Sequence, residues 1–221
     1  MTNHFAKSSV TISGVLIGHV QWLHRYAVEE VTKREGAVRP DGSHYTTLAW
    51  SAIILAASSV EAFVNEVFLS SFGEMVLGVS LLREAGEPLE RLDIPAKLLL
   101  LPHVAFGRSL EAGKQPYQDM VLLSQLRNEL VHYKMGDKPP NAVNVLARRG
   151  IAVRVPPEQE AGGPHAWAER LCRLEVVQWA HNSACDTVGA LVSLVPEDKR
   201  RTLDALVRSN FQPIAPPVAT Q

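Results

Sequence analysis

Residues 46–71 read TTLAWSAIILAASSVEAFVNEVFLSS. Leu48, Trp50, Ile53, Ile54, Leu55, Ala56, Val60, Phe63, Val64, Val67 and Phe68 leave this stretch with almost no polar side. A helix that is apolar nearly all round is a buried one. The run therefore predicts a central helix that other helices must cover. Its most apolar part, 48–60, contains three serines and ends at Glu61. That is short of the roughly 20 apolar residues of a membrane span. The expectation is a core helix of a soluble, cytoplasmic protein with no membrane contact.

On either side of this run the periodicity is also helical. Val15, Ile17, Val20, Leu23, Ala27 and Val31 predict a helix over 13–35, with Ser13 as N-cap. Gly73, Gly78, Gly86 and Pro88 predict an irregular stretch after 71. Residues 94–106 are apolar but carry Pro95 and Pro102, which predicts a short helix with a break. Further helices are expected over 116–135, 141–149, 167–194 and 197–209, and 151–155 alternates as the one candidate strand. The fold expected is all-α, a bundle of five to six helices in one domain over 1–210, followed by a flexible tail over 211–221.

Composition narrows the function. The chain has 221 residues, 46% hydrophobic and 20% charged, enough for a sizeable core. Lys plus Arg is 22 against 23 for Asp plus Glu, a net charge of -1. That excludes a globally basic nucleic-acid binder, but not a local basic patch. The two cysteines, Cys172 and Cys185, make no disulfide framework and read as buried small hydrophobes in a reducing compartment. The His181/Cys185 pair lies on an apolar stripe and reads as core rather than as a metal site. No glycine pattern cradles a phosphate, and no metal or cofactor is expected.

Two helices carry polar residues that need a partner. Glu61 interrupts the apolar helix and shares a face with Ile54, Ser58, Asn65 and Phe68. A carboxylate there is paired or neutralised: either an ion pair that fixes helix register, or a carboxylate that holds a catalytic cation. The helix over 116–135 has a core stripe of Leu123, Leu126, Leu130 and Tyr133. Asn128 and His132 fall on its opposite face, and Arg127 lies on the flank. Val121, Ser124 and Val131 share that second face, which suggests that a further helix or a second subunit covers it. The plainer reading pairs Arg127 with Glu61 and leaves His132 at the helix C-terminus, where a cation is favoured.

Residues 127–132, RNELVH, resemble the Arg-to-His signature of the HEPN superfamily, all-helical proteins that include RNA-cleaving toxins and defence effectors. The stretch 58–66, SSVEAFVNE, is similar to that superfamily's carboxylate-bearing helix, and the likeness covers roughly 46–134, with 179–182 a possible extension. The resemblance implies a metal-independent endoribonuclease of toxin–antitoxin or defence type. It implies a homodimer whose cleft joins two motifs, and a possible antitoxin partner. The residue types suit that chemistry: an imidazole moves protons near neutral pH, and a guanidinium forks onto phosphate. Arg127 would contact phosphate, His132 act as general acid or base, Asn128 orient His132 or the ribose, and Glu61 hold Arg127. Lys134, Arg148, Arg149 and Arg154 offer a basic stretch for an RNA backbone, or a merely solvated loop. The alternative is a non-catalytic HEPN-like module that binds protein or nucleotide.

Overall fold

The computed structural model describes residues 11–33, 46–78, 88–133, 138–154 and 166–215. The fold is all-α, and among the described residues there is no strand. The helices are α1 (Ile12–Lys33), α2 (Leu48–Phe68), α3 (Ser71–Leu77), α4 (Ile94–Phe106), α5 (Tyr117–Val131), α6 (Asn141–Arg148), α7 (Ala166–Glu169), α8 (Leu174–Leu194) and α9 (Glu197–Asn210). These outnumber the five or six expected, because two stretches break where periodicity alone runs on or sees only glycines.

The apolar helix α2 is the centre. It packs against α1, α8, α5, α3 and α4. Ile53, Val60 and Phe63 are fully buried, each worth about 1.5–3 kcal/mol relative to an exposed side chain. By length and composition α2 is sufficient to cross a membrane, more apolar than its first thirteen residues suggest. The five helices packed on it account for the buried half of that stretch. The second core helix, α8, contacts α1, α2, α4, α5 and α9. Helices α1 and α5 each lie against both α2 and α8.

Local chemistry sets the helix ends. Thr11, not Ser13, caps α1: its Oγ1 accepts from the Gly14 N–H at 3.1 Å. Ser13 lies one position inside the helix and is buried. Its N–H and hydroxyl donate to the two carboxylate oxygens of Glu66, at 3.2 and 2.5 Å. A carboxylate of α2 thus satisfies a free donor at the α1 N-terminus. The stretch expected to be irregular after 71 instead holds α3, capped by the Ser70 hydroxyl, which accepts from the Phe72 N–H at 3.2 Å. It ends at Gly78, whose φ of 64° is left-handed. Gly73 is needed for space, since a Cβ there would lie 1.9 Å from the Val67 carbonyl oxygen.

The break expected in 94–106 does not occur. Pro95 sits in the first turn, where no N–H is missed, and Asp93 caps the helix through the Ala96 N–H at 2.8 Å. Pro102 is carried within α4, buried, with the helix continuing to Phe106. The helix expected over 167–194 is in turn interrupted at 170–173. Arg173 is extended (φ -133°, ψ 149°), the Cys172 carbonyl accepts from Thr46, and the Trp50 indole donates to the Ala168 carbonyl at 2.9 Å. Partners distant in sequence have replaced helical bonds there. Residues 151–154 are irregular, and the Val153 N–H and carbonyl bond the Arg170 backbone and side chain at 2.9 and 3.0 Å; Val155 lies outside the described residues.

The first residues of the expected tail, 211–215, are held against the bundle, and 216–221 lie outside the described residues. Phe211 is buried edge-on against Phe63, with ring centroids 5.7 Å apart. Asn182 exchanges two hydrogen bonds with the Ile214 backbone, at 2.8 and 2.9 Å. Cys172 and Cys185 are both buried free thiols, and burial, aided by Asp186, pushes the Cys185 thiol up to about 12. His181 is fully buried beside Cys185, with Nδ1 to sulfur 3.7 Å.

Two consequences are measurable. Gly73→Ala should destabilise the protein by about 3 kcal/mol in urea titration, because a backbone oxygen rather than a flexible side chain blocks the methyl. Stability should also fall with acid. Burial lowers the pKa of both His24 and His181, and the charge of His24 adds to the effect at His181. Above the ordinary value of 6.5 both folded and unfolded chains hold these rings neutral. Below it only the unfolded chain takes up the protons, so stability declines as pH falls from 6.5 through the lowered native values. Asp186, raised by burial and then by Asp119, acts in the opposite sense at lower pH. A urea midpoint at pH 5.5 equal to that at pH 7.5 would contradict the assignment.

Candidate functional site

Helices α2, α4 and α5 bring together Glu61, Asn65, Lys97, Arg127 and Asn128. Glu61 is not deeply buried: its side chain is 32% exposed. It faces two cations, Lys97 with Nζ 3.5 Å from Oε1 and Arg127 with Nη2 4.0 Å from Oε2. The expected Glu61–Arg127 pairing is therefore present, at the outer limit of an ion pair. Asn128 donates nothing to His132. Its side-chain oxygen accepts from Arg127 Nη1 at 2.9 Å, while its backbone carbonyl accepts from the His132 N–H at 3.0 Å. Arg127 Nε is buried without a hydrogen-bond partner among the described residues.

Lys97 is the residue that the motif reading missed. It is 1% exposed, and its ammonium donates to Asn65 Oδ1 at 3.0 Å as well as to Glu61. A buried ammonium must be paired or lose its proton. Lys97 meets that need with one carboxylate and one amide from adjacent turns of α2. The signal was available in IPAKLLLLPHVAF, where it is the lone lysine of an apolar helix. With Glu61 shared by two cations, the three formal charges sum to one positive.

His132 is exposed and occupies the C-cap of α5, which ends at Val131 rather than near Met135. A Pro116-led start and a His132 end leave fifteen residues of helix. The core stripe is as read at Leu123 and Leu126, joined by Met120, while Leu130 and Tyr133 are only half-buried. The second face of α5 is less open than its composition suggests. Ser124 is buried within the chain, Val121 is half-buried, and Val131 is exposed. On α4, Leu100 and Val104 are also exposed, three and seven residues beyond Lys97.

The basic stretch divides. Arg149 forms an ion pair with Asp119 at the start of α5. Arg148 and Arg154 are exposed. Lys134 lies outside the described residues.

The geometry predicts an asymmetry between the two ends of the Lys97–Glu61 pair. Glu61→Gln leaves a fully buried ammonium with amide partners only and should destabilise by about 2 kcal/mol, discounted from the value for a wholly buried pair because Glu61 reaches solvent. Lys97→Met removes the buried charge and leaves Glu61 with Arg127 and water, and should change stability by less than about 1 kcal/mol. Urea titration of the two variants checks the order, and a larger loss in Lys97→Met would reverse the account.

No family model, no curated protein and no solved structure matches the chain.

Proposed function

We propose that the protein is a HEPN-type, metal-independent endoribonuclease, a cytoplasmic toxin or defence effector, acting through Arg127 and His132. The observation that carries this reading is the held guanidinium of Arg127. Glu61 and Asn128 fix it from two sides, while His132 stands exposed at the end of the same helix. His132 takes the proton of the substrate's 2′-OH as that oxygen bonds to the adjacent phosphorus; the bond from phosphorus to the 5′-oxygen breaks, and the leaving oxygen takes a proton back from the imidazolium. Arg127 answers the charge that builds on the phosphoryl oxygens. Asn128 serves by orienting Arg127, a role the side-chain contact supports better than a contact to His132 or the ribose. Lys97 keeps Glu61 in place. The exposed Val131, Leu100 and Val104 lie on the helices that carry this cluster, which favours a cleft completed by a second subunit. A small antitoxin-like partner belongs to the same proposal.

One observation favours the rival, a non-catalytic binding module. Arg127 already has two partners within the chain, so its contacts also serve a purely structural role.

Purified protein incubated with mixed RNA in EDTA separates the two. Cleavage should proceed and leave 2′,3′-cyclic phosphate ends. His132→Ala should lower the rate by about 10²–10⁴ while the fold survives, because His132 is outside the core. Arg127→Ala should cost about 10²–10³. Salt should weaken cleavage with a slope of about -0.7 per phosphate contact, carried by Arg148 and Arg154 rather than by the paired Arg149. Intact RNA with folded protein would favour the binding module. Activity that survives His132→Ala would refute the mechanism.

A further inference from the structure

The middle of the outward face of α1 is apolar. Ile12, Val15, Trp22 and Tyr26 are 68, 42, 56 and 46% exposed. With His19 they recur at steps of three and four residues, in a stripe beside the line of Ile17, Val20, Leu23 and Ala27, which pack in the core. A surface helix normally carries polar residues there, and this spacing is that of a seam covered by another helix. Trp22 and Tyr26 stack with centroids 5.4 Å apart and rings 19° from parallel, so they present one continuous block. His19 Nδ1 lies 2.8 Å from the Val15 carbonyl oxygen, so the helix itself answers part of that ring's polarity.

Gly18 adds an independent observation. It sits mid-helix and exposed, and a Cβ built there meets nothing within 4 Å. Gly14 differs, since its Cβ would fall 2.9 Å from Thr11 Oγ1. Nothing among the described residues accounts for glycine at 18, where alanine is the better helix former. A second helix lying close against this face does account for it. Gly14, Val15, Gly18, His19 and Trp22 border a groove of about 480 Å³, a hole for a large knob.

We propose that α1 is a self-association surface, pairing antiparallel with α1 of a second copy about a two-fold axis near His19. The stripe from Ile12 to Tyr26 is centred on His19, so an isologous pairing lays Trp22 near the partner helix's first turns and Tyr26 toward its start. The exposed parts of the four apolar residues remove roughly 500 Å² per copy, roughly 1,000 Å² in all, the lower bound for a specific interface. The pair is therefore a reversible one. Helix α1 makes no substantial contact with α4 or α5, which carry Lys97, Arg127 and Asn128, so the pairing does not draw on those helices and does not depend on their forming a ribonuclease site.

Three readouts on the full chain test it. Trp22 is the one exposed tryptophan of four, so acrylamide quenching reports on it. Sedimentation of the wild type should show mass rising with concentration in the micromolar range, with Trp22 increasingly shielded. Trp22→Gln combined with Tyr26→Gln should halve the assembled mass without lowering the melting temperature. Gly18→Ala should weaken association while the melting temperature holds or rises. His19→Cys should form an interchain disulfide under mild oxidation. A wild type that stays monomeric overturns the proposal: if Trp22 is shielded, residues 1–10 cover the stripe, and if it is accessible, the stripe is bare or awaits a different protein. An assembled mass that the α1 variants leave unchanged, with no His19→Cys cross-link, also overturns it; a halved mass still cross-linked through Val131→Cys supports it, the remaining contact being the separate one at α5.

Discussion

A helix with no polar face has to be surrounded, and α2 imposes that requirement on the whole chain. Helices α1, α3, α4, α5 and α8 all lie against it. The few polar groups that α2 does carry become fixed points. Glu66 satisfies the start of α1 through Ser13, and Glu61 with Asn65 receives the ammonium of Lys97. Apolar burial supplies most of the stabilisation, while the polar contacts determine which helix end meets which turn. Burial is non-directional and leaves register open; a hydrogen-bonded carboxylate does not.

The same constraint shapes the candidate site. Glu61 offsets the burial of Lys97 and, being 32% exposed, also faces Arg127 and solvent. Arg127 is consequently held at arm's length, 4.0 Å from Glu61, with Asn128 closer at 2.9 Å. The guanidinium is thus oriented without being fully neutralised, since one carboxylate serves two cations. The cluster keeps one formal positive charge at the boundary between core and solvent, beside the exposed end of α5.

Among the described residues, apolar surface that the bundle does not use is concentrated on α1, with smaller exposed areas on α3, α4 and α5. The inner face of α1 is fully committed to α2 and α8. Its outer face repeats the chemistry of a core without a neighbour among the described residues. That distribution puts the charged cluster on α2, α4 and α5 and the apolar seam on α1.

The all-α class, the central place of α2 and the cores of α1, α5 and α8 were legible in the sequence, because periodicity over long apolar segments reports burial directly. The positions of Arg127 and Asn128 on the flank and outer face of α5 followed from helical geometry alone, whereas His132 falls past the last turn, at the C-cap. The rest required tertiary contacts. The break at 170–173 exists because Trp50 and Thr46, more than a hundred residues earlier, take backbone bonds a helix would otherwise keep. Pro102 is tolerated because α4 continues past it in a buried setting. Ser13 lost its capping role to Thr11 because a carboxylate from α2 reached it. Lys97 entered the site because α4 docks beside Glu61 and Asn65, and Arg149 was drawn from the basic stretch by Asp119. Spacing along a chain records which face of a helix a residue occupies. It holds no record of which other face arrives opposite, and for a shared carboxylate or a buried ammonium that arrival decides the charge, the partner and the chemistry.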